Sequence, residues 1–62
     1  MNDRLRKRRI ECNMSQEQLA KIVGVARQTI NMLEAEKYNP SLKLCIDICK
    51  ALNRTLDELF WN

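Results

Sequence analysis

Apolar residues recur along this chain at intervals of three and four, never in sustained alternation, and residues that start or stop helices interrupt them. The pattern predicts five short helices and no strands. The first covers about Asp3 to Cys12, with Leu5, Ile10 and Cys12 as sparse apolar positions and Asn13 as its stop. Arg8, three residues after Leu5, falls where a core residue is expected. Its stem is predicted to cover apolar surface while its guanidinium reaches water. The second helix has the clearest start. Ser15 and Gln18 have capping-box spacing, in which each side chain bonds the other's backbone N–H, and Met14 with Leu19 fits a hydrophobic staple. It runs from Gln16 to Val23, burying Leu19, Ala20, Ile22 and Val23, and Gly24 ends it in the left-handed region.

A third helix starts near Ala26 and ends about Glu34, with Ile30 and Leu33 inward and Val25 plugging the preceding turn. Its outer side offers Arg27, Gln28, Thr29, Asn31 and Met32. Glu36 to Asn39 form a loop, and Pro40-Ser41 opens a fourth helix with Ser41 as N-cap. That helix carries Leu42, Leu44, Cys45, Ile46, Ile48, Cys49 and Leu52 and is expected to be the central one. Asn53-Arg54 breaks it. Thr55 with Glu58 repeats the capping box before a last helix with Leu56, Leu59, Phe60 and Trp61.

The 62 residues, 45% of them hydrophobic, fit a single domain over 1–62 with a modest core, so a partner subunit is worth considering. No apolar stretch spans a bilayer and the N-terminus enters charged residues at once, so a cytoplasmic protein without a membrane partner is expected. The net charge of +3 is uneven. Arg4, Arg6, Lys7, Arg8 and Arg9 crowd the front, whereas Asp57 and Glu58 make the tail acidic. Such asymmetry suits a protein that turns one side to a polyanion, although a solvated helix face accounts for the same charges.

Candidate chemistry narrows quickly. Cys45 and Cys49, four apart, share a helix face, but that face also carries Leu42, Ile46 and Leu52, and the chain has no His to complete a metal shell. Both cysteines, like Cys12, are expected to pack, with no metal and no cofactor. Glu34 and Glu36 read as solvated acids without a base, and no Gly-rich phosphate loop is present, so catalysis is not expected.

The informative stretch is Ser15 to Leu33: two short helices joined by a tight turn at Gly24, the second exposing hydrogen-bonding side chains. This is the helix-turn-helix arrangement, whose second helix enters a DNA major groove about 12 Å wide. Arg27 can bond guanine O6 and N7, Gln28 can bond adenine N6 and N7, and Asn31 adds an amide one turn on. Thr29 offers a hydroxyl suited to phosphate. The same side chains also suit an ordinary exposed helix, since many helical hairpins bind no DNA.

The segments Met14-Ser15-Gln16-Glu17-Gln18-Leu19-Ala20, Val23-Gly24-Val25, Arg27-Gln28-Thr29-Ile30-Asn31 and Lys37-Tyr38-Asn39-Pro40-Ser41-Leu42 together are highly specific. With Leu56-Asp57-Glu58-Leu59-Phe60 at the close, the chain resembles the Cro/C1-type (XRE family) helix-turn-helix regulators over about residues 3–60. The resemblance implies an all-α, compact five-helix bundle of the lambda-repressor-like type. It also implies a sequence-specific regulator of transcription, here expected to be a nucleoid-associated repressor, that binds double-stranded DNA at a palindromic operator as a homodimer. No small-molecule ligand is implied. Arg27, Gln28 and Asn31 or Met32 match base-reading positions. Gln16 matches a phosphate-holding position at a helix N-terminus, where free N–H groups and partial positive charge favour an anion. Lys37, Tyr38, Asn39 and Ser41 match a second phosphate clamp.

Three positions depart from the family pattern. Ala26 replaces a capping Ser or Thr. Glu36 replaces a Gly or Asn-like turn residue and is expected to force a different turn. Arg8 replaces a core Leu. Leu56, Leu59, Phe60 and Trp61 crowd a short terminal helix, which marks them as a candidate dimer interface. The contrasting reading is a protein-interaction module on the same scaffold, such as an antitoxin-type subunit. That reading predicts an apolar outer row on the third helix, where only Met32 is apolar.

Overall fold

Four of the five helices begin at a side chain that accepts from their own first turn. The computed structural model describes residues 2–61 and contains α1 (Asp3–Glu11), α2 (Gln16–Val23), α3 (Arg27–Glu34), α4 (Leu42–Leu52) and α5 (Leu56–Phe60), with no strand among them. Asn2, Ser15, Ser41 and Thr55 cap α1, α2, α4 and α5, and both capping boxes, Ser15/Gln18 and Thr55/Glu58, are closed. Only α3 lacks a side-chain cap, because Ala26 has no acceptor to offer.

Four residues in the left-handed region turn the chain: Asn13, Gly24, Glu36 and Asn53. Glu36 corrects the expectation of a different turn. It adopts φ 59° itself, and the N–H groups of Glu36 and Lys37 donate to the Leu33 and Met32 carbonyls. That bonding is a Schellman motif, closed at the strain cost of about 1 kcal/mol that a residue with a Cβ incurs there.

The core is built around Leu5, Leu19, Ile30, Ile48, Leu52 and Leu59, all fully buried. α2 packs on α3 and α4, α1 on α3 and α5, and α4 on α5. α4 contributes the most, with Leu44, Cys45, Ile48, Cys49 and Leu52 buried. Burial raises the Cys45 and Cys49 thiol pKa values, so both stay protonated and pack as small apolar groups. No group of metal-ligating side chains occurs among the described residues, and no helix among them is long and apolar enough to cross a membrane.

Several apolar residues expected inside face outward. Ile22 is 58% exposed: at about 100° per residue it lies roughly 100° round from the buried mid-line of Leu19, Ala20 and Val23. Leu42 is 65% exposed, at the first turn of α4 and beside its buried stripe. Ile10 is exposed because Arg9, four residues after Leu5, takes the inward position on α1. Arg8 does not extend its guanidinium into water. Its Nε donates to the Leu52 carbonyl at 2.8 Å and its Nη1 lies 3.5 Å from Glu11. The first helix and its cap thereby close three other helix ends. Arg8 serves α4, Asn2 donates to the carbonyls of Glu34 (2.8 Å) and Leu59 (2.9 Å), and Arg4 donates to that of Asp57 at 3.2 Å.

Candidate nucleic-acid interface

The turn between α2 and α3 rests on Gly24 at φ 78°, whose N–H and that of Val25 both donate to the Ala20 carbonyl, at 2.9 and 3.0 Å. Val25 tucks against the core and swings α3 across α2. Ile30 and Leu33 anchor α3 inward, which leaves Arg27, Gln28 and Asn31 exposed and Thr29 and Met32 half-buried at its margins.

Arg27, Gln28 and Asn31 line one shallow groove, and a second, lined by Arg9, Ser15, Gln16, Glu17 and Arg27, adjoins it at the start of α2. The side chains of Arg27 and Gln28 make no hydrogen bond or ion pair among the described residues, so their donors and acceptors face solvent. The uncapped first turn of α3 has no acidic side chain, and its free N–H groups carry the positive end of the helix dipole. Beyond α3, Lys37, Tyr38 and Asn39 are exposed on the connecting loop. The Ser41 hydroxyl accepts from the Leu44 N–H at 3.1 Å as the cap of α4 and keeps its own proton to donate.

Beneath this surface lies a pair that sequence reasoning missed. Glu34, read as a solvated acid, is only 3% exposed. Its Oε2 accepts from Arg9 Nε at 2.7 Å and its Oε1 from Arg9 Nη2 at 3.2 Å, while Arg9 Nη1 donates to the Met14 carbonyl at 2.7 Å. Gln16, matched to a phosphate-holding position, is also bonded within the domain. Its Nε2 donates to Glu34 Oε1 at 3.2 Å, and its Oε1 accepts from Asn31 Nδ2 at 3.4 Å. The signal was in the spacing. Arg9 follows Leu5 by four residues and Glu34 follows Ile30 by four, so opposite charges occupy the inward stripes of two helices.

The terminal helix divides the four proposed interface residues. Leu59 is 2% exposed and belongs to the core, which corrects its assignment to an interface, and Leu56 and Phe60 pack partly against that core. Only Trp61, at 61% exposure, stands clear.

Two short helices around a glycine turn, the second anchored by two residues and polar outside, define a helix-turn-helix DNA-binding domain. Residues 5–59 match the family described as Helix-turn-helix. An HTH-type transcriptional regulator of Archaeoglobus fulgidus is 48% identical over 60 residues, covering 97% of this chain and 84% of that protein. The HTH-type transcriptional regulator YgzD of Bacillus subtilis is 39% identical over 61 residues, covering 98% and 92%. Control protein C.SmaI of Serratia marcescens is 43% identical over 47 residues, covering 76% and 56%. The chain belongs to the Cro/C1-type helix-turn-helix family: it is a DNA-binding transcriptional regulator and not an enzyme.

Proposed function

We propose that two copies bind a palindromic operator, each inserting α3 into the major groove of one half-site, and so repress transcription from a promoter that the operator overlaps. The observation that carries this reading is the pair Arg27 and Gln28, exposed and unbonded at the leading end of α3. Arg27 suits guanine O6 and N7, Gln28 suits adenine N6 and N7, Asn31 reads one turn further along, and Met32 offers apolar contact to a thymine methyl. Gln16, Thr29, Lys37, Tyr38, Asn39 and Ser41 hold phosphates on either side and fix the register. The polar outer row of α3 favours DNA over a protein-binding module.

Dimerisation draws support from Trp61, exposed beside the half-buried Leu56 and Phe60 at the end of α5. The domain measures 25 × 23 × 20 Å. Two copies side by side can therefore set their α3 helices about 34 Å apart, one turn of DNA. Fluorescence anisotropy on promoter fragments, including the region upstream of the protein's own gene, tests the reading. Binding should weaken steeply with salt as counterion release is lost. Arg27→Ala or Gln28→Ala should cost about 1–3 kcal/mol and relax base preference. Unchanged affinity of both variants for a selected site overturns it.

A further inference from the structure

The hydrogen bonds that run from α1 through α2 to α3 have a direction. Arg9 bonds both oxygens of Glu34, at 2.7 and 3.2 Å, and the carboxylate has only acceptors to offer Gln16. Gln16 therefore meets it with Nε2, at 3.2 Å, which turns Oε1 toward α3. That oxygen takes one N–H of Asn31 at 3.4 Å. Asn31 is left with its Oδ1 and one N–H uncommitted on the exposed face.

This polarity matters for base reading. An amide with one free acceptor and one free donor matches adenine, which presents a donor at N6 and an acceptor at N7. Turned over, Asn31 would spend its oxygen inward and offer only N–H groups, which suits the two acceptors of guanine. We infer that the buried Arg9–Glu34 pair, acting through Gln16, fixes the polarity of the Asn31 carboxamide and biases the base beneath it toward adenine over guanine. The inference rests on the proposed insertion of α3 into the groove. Arg9, Glu34 and Gln16 are positioning residues in it, and Asn31 alone touches the base. Gln16 holds two roles at once: its second N–H is left for a phosphate while its oxygen steers Asn31.

The test uses Gln16→Leu, a half-buried position outside the core, on operators carrying each base at the position where Asn31→Ala alters preference. The native protein should favour adenine over guanine there by about tenfold, the discrimination of one good bidentate contact. Gln16→Leu should reduce that preference to about twofold while lowering affinity for every sequence. The paired replacement Arg9→Met with Glu34→Leu, verified as folded by circular dichroism, should do the same. A uniform loss of affinity that keeps the tenfold preference makes Gln16 a phosphate contact only and overturns the inference. A second arm needs no DNA. The side-chain amide resonances of Asn31 should shift in the free paired variant, and unchanged resonances overturn the relay. If Asn31→Ala leaves every base preference intact but those resonances do shift, the relay exists and the groove-reading role of Asn31 is what fails.

Discussion

Replacing Arg9 with Met should cost far more stability than its place in a basic segment suggests. Arg9 supplies three hydrogen bonds, two to Glu34 and one to the Met14 carbonyl, and both side chains of the pair are nearly sealed from solvent, at 10% and 3% exposure. Without it, Glu34 Oε2 has no donor and Oε1 keeps only Gln16. Leaving one charge of a buried pair uncompensated costs about 3–5 kcal/mol. A chain of this size has roughly 3–9 kcal/mol in all, so the variant should be close to unfolded at ambient temperature. Each kcal/mol lowers the melting temperature of so small a domain by about 4–8 °C, and a drop of at least about 12 °C follows. Adding Glu34→Leu should reverse most of the loss, because an apolar pair of similar volume carries no desolvation cost. Urea titration followed by helical circular dichroism measures all four corners of the cycle. The expected coupling is at least about 2 kcal/mol. A loss below about 1 kcal/mol for Arg9→Met, or two single losses that simply add in the double variant, refutes the argument that burial makes this pair costly to break.

Three further outcomes follow from the geometry. Lys37→Ala should weaken binding to all sequences alike and make the logarithmic salt dependence shallower by about one, measured by anisotropy; a change in base preference instead would place Lys37 at a base. Glu58 accepts from the Thr55 backbone N–H and hydroxyl, and these bonds hold its carboxyl below the usual 4.5, the nearby Arg54 adding to the effect. The folded value is the lower one, so its stabilisation is complete above the ordinary carboxylate range and disappears as pH falls through the depressed value. Trp61 fluorescence should follow α5 loosening in acid, and Glu58→Gln should lack that limb; an identical acid limb in both proteins counts against the box as its source. Trp61→Ala should shift sedimentation toward the monomer, and a native protein already monomeric at tens of micromolar removes the case for an α5 interface.

The sequence displayed the fold well because local chemistry sets most of it. Ser15/Gln18 and Thr55/Glu58 place two helix starts within one residue, Gly24 places the turn, and Ile30 with Leu33 orients α3 so that Arg27 and Gln28 face outward. Each of these signals acts over a handful of residues and is decided by backbone hydrogen bonds or helical period. The failures are tertiary. Ile22 and Leu42 carry apolar side chains at the edge of a buried stripe, where the neighbouring helix decides whether anything covers them. Leu59 lies in sequence among the apolar residues Leu56, Phe60 and Trp61, yet α5 is only five residues long and gives its one inward side to Leu59.

The buried pair shows most clearly why charge composition misleads in a domain this small. Arg9 counted toward a basic front and Glu34 toward a solvated loop, whereas together they neutralise each other inside. Removing them from the surface changes the electrostatic picture of the DNA face. What remains at its leading edge is Arg27 with the uncapped N-terminus of α3, and Lys37 beyond it, rather than the cluster on α1. Arg4 and Arg8 keep their charge but direct it at the carbonyls that end α5 and α4, whereas Arg6 and Lys7 stay exposed on α1. On the proposed docking, Arg27, Lys37 and the oriented N–H groups at the start of α3 set the salt-dependent contacts beside the base-reading ones.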